Sequence, residues 1–242
     1  KNIIRKLKKD CVYASVDNQE EPILISRVYD GILYELVHEG KRYMLCYGNW
    51  YQINNDFYSN IRDKVNNAPL SELELPDCGE NMHEGTYNEI AALSSVNFVL
   101  LDKKDYLVPR YGTSRIEPCD IITQNKELIH IKKNDSSSKL SHLFAQGLVS
   151  AKFLNGDLGF RNYINGLVNE SFGENFITEE DSNEDFEIVF AIIDKKEGTL
   201  VDNLPFFSMV NLAQILEQLK SMDYKYSLIK INVTKQEQLS LF

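Results

Sequence analysis

Two runs in this chain, NFVLLD (97–102) and FEIVFAIID (186–194), are almost uninterrupted apolar stretches of strand length. A strand with one wet face alternates apolar and polar residues, whereas a near-continuous run is what burial on both faces requires. Such strands need cover on each side. The intervening segments have the spacing of amphipathic helices. LSHLFAQGLVSAKFL (140–154) is apolar at 140, 143, 144, 148 and 151, and the segment after Pro205 is apolar at 206, 210, 212, 215, 216 and 219. FRNYINGLV, within 156–171, reads as a further helical piece, and TEEDSNED (178–185) as a solvated acidic loop. HEGTYNEIAALSS precedes the first run as a helix expected to turn Tyr87, Ile90 and Leu93 to a core. RIEPCDIIT (115–123) and ELIHIKK (127–133) read as strands of a hairpin turning at Gln124-Asn125-Lys126, and YSLIKINV (226–233) as the closing strand. The order α, β, β-hairpin, α, β, α, β gives an α/β (α+β) fold with a mixed central sheet flanked by helices.

The first part of the chain is different. After a short basic helix, residues 11–53 carry five short runs rich in β-branched and aromatic residues: CVYASV, PILISRV, ILYELVHE, KRYMLCYG and WYQIN. Glu39-Gly40 and Gly48-Asn49 punctuate them, which predicts a β-meander in a small β-rich subdomain. Asn55-Asp56 offers a cap for a helix with Phe57, Ile61 and Val65 inward. The Pro69–Gly79 stretch reads as a linker, so the expected division is 1–76 and 77–242.

Composition narrows function mainly by exclusion. A net charge of −10 argues against a broad basic surface but leaves room for a local basic cleft. The apolar runs fall far short of the ~20 residues of a membrane span, and no secretory signal pattern is present. Cys11, Cys46, Cys78 and Cys119 form no CxxC pair, so free thiols in a reducing cytoplasm are expected instead of a zinc site. No GxGxxG, P-loop, GxSxG or HExxH is found. The opening KNIIRKLKK looks like the interior of a charged helix, which suggests a longer protein with an upstream domain. Homo-oligomerisation is left open.

Chemistry concentrates between 115 and 151. Period-two geometry puts His130 and Lys132 on one face of their strand and Ile129 and Ile131 on the other. Antiparallel pairing across the 124–126 turn sets Asp120 beside His130. An Asp and a Lys within apolar strands are costly to desolvate unless paired with each other or with an ion. One reading is a structural ion pair. The other is a metal-dependent site, in which Asp120 holds a cation that activates water and Lys132 faces a scissile phosphate.

EPCD…HIK resembles the signature of the PD-(D/E)XK nuclease superfamily, an acid on the second core strand followed by (D/E)xK on the third. The run HIKKNDSSSKLSHLFAQGLVSA is similar in layout to Mrr-like restriction endonucleases, which implies a restriction-endonuclease-like core. The superfamily resemblance implies a further acid on the preceding helix, for which Glu89 is the candidate, and the likeness to its RecB-like members implies a glutamine on the following helix, for which Gln146 is. GNWY, TYNE, EPCDIIT, HIKK, SSSKLSHLFAQGLVSA and LPFFSMVNL also resemble the C-terminal half of a bacterial family of "sporadically distributed" proteins on mobile and defence-associated DNA. The departure is His130, which stands where the superfamily has an acid. Three roles are open to it: ligand to Mn²⁺ more readily than to Mg²⁺, general base, or remnant of a site that only binds.

The implied function is metal-dependent hydrolysis of DNA or RNA with Mg²⁺ or Mn²⁺, in phage defence or a mobile element. The metal set is Glu89, Asp120 and His130, and the catalytic set adds Lys132 and Gln146. Lys133, Ser137, Ser138 and Lys139, near a helix start, are candidate phosphate contacts. The alternative is an inactive nuclease-fold module that binds nucleic acid or a protein partner. Trp50, Tyr51 and the many tyrosines of the first part could stack on bases but read more simply as sheet packing, and His142 reads as a satisfied polar residue.

Overall fold

The computed structural model describes residues 2–15, 21–109 and 114–234. Two compact units divide at Ile61/Arg62, within a helix.

The first unit opens with helix α1 (Asn2–Leu7) and an antiparallel pair, β1 (Cys11–Ala14) and β2 (Ile23–Arg27). Val16, the end of the first expected run, lies outside the described residues. The meander follows as a three-stranded antiparallel sheet of β3 (Tyr34–His38), β4 (Lys41–Cys46) and β5 (Asn49–Gln52). Its turns are centred on Glu39-Gly40 and Tyr47-Gly48, all four residues at positive φ, the tight turn that suits the twist of a hairpin. Helix α2 (Asn55–Asn66) is capped one residue earlier than its sequence suggests. Asn54 Oδ1 accepts from the N–H groups of Asp56 at 2.8 Å and Phe57 at 3.1 Å.

The second unit is built on a six-stranded mixed sheet in the order β6-β13-β12-β11-β10-β7. Its strands are β6 (Cys78–Gly79), β7 (Phe98–Leu100), β10 (Ile121–Thr123), β11 (Glu127–Lys133), β12 (Glu187–Asp194) and β13 (Lys225–Thr234). β11, β12, β13 and β6 run parallel, and β10 is antiparallel to both its neighbours, β11 and β7. β8 (Tyr106–Leu107) and β9 (Arg115–Ile116) pair outside this sheet. The helices are α3 (Glu84–Leu93), α4 (Ser137–Gly156), α5 (Leu158–Phe172), the short α6 (Leu200–Asn203) and α7 (Phe206–Ser221). Mixed sheet and flanking helices are as the order of apolar segments predicts. Among the described residues no helix is long and apolar enough to cross a membrane.

Strand alternation splits the core. Ile121, Ile129, Ile131, Val189, Ala191 and Ile229 pack with Tyr87, Ala91 and Ala92 of α3. On the opposite face Phe144 of α4 meets Phe190 edge-on at 5.5 Å, and Gly147 lets α4 approach closely. A Cβ there would stand 2.5 Å from the Phe190 ring.

Three expectations change. The strand at 115–123 breaks at Glu117-Pro118-Cys119, because Pro118 supplies no ladder donor and the chain bends into another sheet. The stretch from Pro69 is no free linker. Pro69 O accepts from Leu228 N at 2.9 Å, Ser71 N donates to Leu228 O at 3.1 Å, and Cys78–Gly79 extends the sheet beside β13. The buried stripe of α3 comprises Tyr87, Asn88, Ala91 and Ala92, leaving Ile90 42% and Leu93 87% exposed. Two small alanines let the helix lie close to the sheet, and its polar Asn88 is buried against Asp120.

Candidate metal centre

The β10–β11 hairpin sets the site. Its register, Ile121 opposite Ile129, continues to Asp120, whose N–H donates to Ile129 O at 3.0 Å. Asp120 therefore stands beside His130, as the three-residue turn predicts. The bend at Pro118 then swings the Asp120 carboxylate onto backbone and helix donors. Oδ2 accepts from Ile131 N at 2.7 Å and Oδ1 from Asn88 Nδ2 at 2.9 Å. The Asp120 carbonyl accepts from Leu101 N and Asp102 N, tying the end of β7 to the same point.

That tie brings in carboxylates that the sequence did not single out. Ligand oxygens of Asp102, Glu117 and Asp120 all lie within 4.8 Å of one another. Glu117 is held from both sides, Oε1 by the Lys103 N–H and Oε2 by Gln146 Nε2 at 3.3 Å. Ser150, one turn beyond Gln146 on α4, donates to Glu117 O at 3.2 Å and also to Pro118 O. Asp102 lies 3.3 Å from the Lys103 amine. Such donors orient each carboxylate and leave lone pairs directed elsewhere.

Lys132 comes from the end of β11. Its amine is 2.6 Å from Glu84 Oε1 in the first turn of α3, and Glu84 Oε2 accepts from Lys133 N at 3.3 Å. Burial alone would pull the Lys132 amine down. The Glu84 hydrogen bond and charge, with Asp120 and Glu117, outweigh it and hold the amine above its ordinary value.

The carboxylates show the opposite strain. Burial first, then the charges of Glu117 and Asp102, push Asp120 up to about 7, against the pull of the Ile131 N–H and Lys132. Burial also raises Glu117, with Asp102 and Asp105 adding to it. Four carboxylates, those of Glu84, Asp102, Glu117 and Asp120, meet two amines, Lys103 and Lys132. Carboxylates outnumber amines here, and hard oxygen donors crowded in this way fit a divalent cation, which would favour their ionised forms. The arrangement can therefore hold a metal ion.

The sequence-derived residues separate into two groups. Asp120, Lys132 and Gln146 reach this cluster. Glu89 is exposed on α3, because Asn88 is the residue turned to Asp120 and Glu84 is the acid that reaches β11. His130 is 2% exposed, with its ring 6.3 Å from that of Phe190 on the face packed by α4, and its Nε2 has no partner. Burial, then the Lys132 charge, lowers it to about 3, so it is a neutral core group outside the carboxylate cluster. Near the start of α4, Ser136 is the cap and accepts from Lys139 N at 3.3 Å. Lys139 pairs with Asp135 at 2.6 Å, Ser138 Oγ meets Ser136 Oγ at 3.1 Å, and the Lys133 amine donates to Met82 O. Ser137 opens the helix beside them. Ser136, Ser138, Lys133 and Lys139 are thus engaged locally.

Asp102 ends the NFVLLD run and Glu117 sits inside EPCD, so both were in view. The missing signal was the bend at Pro118 that brings them together.

Residues 1–232 match a family model described as "Family of unknown function (DUF6119)". No curated protein matches, and no solved structure matches.

Proposed function

The chain belongs to the DUF6119 family, and we propose that it is a metal-dependent nuclease hydrolysing phosphodiesters of DNA or RNA. The observation that carries this reading is the convergence of Asp102, Glu117 and Asp120 with the Lys132 amine and Gln146. The three carboxylates would hold Mg²⁺ or Mn²⁺, both of which favour oxygen donors. A cation held there would supply a water of lowered pKa and polarise a phosphoryl oxygen. Lys132 offers a fixed positive charge to the oxygens that gain charge in the transition state. Asp102 and Glu117 supply the carboxylates that position 130 lacks, and His130 is left with packing.

The likeness of EPCD…HIK to the PD-(D/E)XK superfamily supports this reading, now with the acid displaced from β11. The likeness to "sporadically distributed" proteins supports a role in phage defence or on a mobile element, in the cytoplasm. The test is cleavage of labelled single- and double-stranded DNA and RNA with Mg²⁺, Mn²⁺ or EDTA. Expected is cutting that needs the metal and is lost in Asp120→Asn and Lys132→Met. Absence of metal-dependent cutting on all four substrates sinks the nuclease reading, and binding without cutting would point to the inactive binding module.

A further inference from the structure

Asp102 and Glu117 bracket a single excursion of the chain. Between them the backbone leaves the sheet, forms the β8–β9 pair with Tyr106 opposite Ile116, and returns. Tyr106 is buried and forms one wall of a cleft of about 620 Å³. Val108 and Pro109 continue that wall, and the other side is the junction of α4 and α5. That volume is in the range of small-molecule sites, about 300 to 1,000 Å³.

The two sides differ in chemistry. Phe153 and Leu158 offer apolar surface, and Lys152 an exposed cation at the rim. Asp157 Oδ1 receives the Tyr106 hydroxyl at 3.2 Å and Phe160 N at 3.1 Å. No side chain intrudes at Gly156 or Gly159, and a Cβ on Gly159 would lie 2.5 Å from the Tyr106 hydroxyl oxygen. The outline is a slot with apolar walls, an acceptor inside and a positive charge outside. Beside the hairpin wall, Lys103 lies 3.3 Å from Asp102 and Arg115 lies 3.8 Å from Asp105, so Lys152 is the cation that the cleft lining itself supplies. The slot adjoins the carboxylates through α4, since Gln146 and Ser150 touch Glu117 and the next turn carries Lys152 and Phe153. From Gln146 to Phe153 is about 10 Å along a helix axis.

We propose that this cleft receives a nucleobase of the bound strand, one or a few nucleotides from the phosphate at the metal centre. The proposal rests on the nuclease reading for its substrate class. Apolar walls take the ring faces, Asp157 accepts from a ring or exocyclic N–H, and Lys152 meets a phosphate. Because the hairpin wall is continuous at both ends with metal ligands, a base seated there also steadies Asp102 and Glu117.

The test is binding in EDTA, where nothing is cut, read by fluorescence anisotropy. The probes are a single-stranded adenine decamer and its abasic counterpart. The wild type is expected to favour the adenine decamer by about tenfold. Gly156→Leu, at a position where a Cβ meets nothing within 4 Å, removes that preference without disturbing the fold. Lys152→Glu weakens both probes. Equal affinity for the two decamers, no binding of either, or a preference that survives Gly156→Leu would overturn the proposal. Adenosine monophosphate that competes as strongly as the decamer would keep the base slot but assign it to a free nucleotide. A base preference in a protein that cuts nothing with metal would retain the slot and remove the nuclease reading.

Discussion

Asn88 Nδ2 donates to Asp120 Oδ1 at 2.9 Å, and this contact explains why a polar residue occupies the buried stripe of α3. Asn88→Ala leaves a buried carboxylate oxygen without its donor. A loss of about 1 to 3 kcal/mol is expected in urea unfolding. Cation affinity, by calorimetry, is expected to fall about 10-fold or more, as when a group that orients a metal ligand is removed.

Asp120 sets the pH behaviour of the metal-free protein. Its folded pKa of about 7 lies above the ordinary 3.8, so the native state holds the proton more tightly than the unfolded chain. Stability from this group is present below pH 3.8 and is lost as pH rises through 7. In EDTA, wild-type Tm is expected to decline relative to Asp120→Asn across that window. Saturating Mn²⁺ should reverse the trend, because the ion binds the ionised form. An unchanged difference between the two proteins would count against a buried, strained carboxylate.

His130 works in the opposite sense. Its folded value of about 3 lies below the ordinary 6.5, so its contribution is complete above 6.5 and is lost as pH falls toward 3. His130→Leu should flatten that acid limb, measured by unfolding at pH 4 and pH 7, while leaving cation affinity near the wild-type value. A large loss of cation affinity would return His130 to the ligand set.

Lys132 and Glu84 form a pair with 22% and 27% side-chain exposure. Lys132→Met is expected to lower cleavage about 100-fold or more, as loss of a transition-state donor does, with nucleic-acid binding reduced far less. Glu84→Gln keeps a hydrogen-bond acceptor and should be milder in both assays.

Gly147→Ala tests the packing behind the site. Its Cβ would meet the Phe190 ring at 2.5 Å and 2.9 Å, so the added methyl forces α4 away from the sheet. A destabilisation of about 1 to 3 kcal/mol is expected in chemical unfolding.

How far the sequence could be read depended on distance along the chain. Apolar periodicity located β11, β12, β13, α4 and α7, because each carries its own burial pattern over many residues. The three-residue turn at 124–126 fixed Asp120 beside His130, since one short loop sets register. Lys132 followed from its position on β11, and Gln146 from the resemblance to the nuclease superfamily. The rest hinged on rotations that no local pattern encodes. The roll of α3 decides that Asn88 and Glu84 face the strands while Glu89 faces solvent. The kink at Pro118 decides that Glu117 turns inward. Position 130 misled for a related reason. Its spacing from Lys132 fits a ligand, but the face it shares with Phe190 is closed by α4.

β7 is one of the two edge strands of the main sheet, three residues long, and it leads into Asp102. An edge of that length opens readily in the native state, and its amides should exchange with solvent sooner than those of β11. A cation shared by Asp102, Glu117 and Asp120 would pin this edge to the centre of the sheet, closing the loop between 102 and 117 as a removable cross-link. Loading with metal should then slow deuterium uptake at Phe98–Leu100 selectively, making this edge strand a gauge of whether the centre is filled.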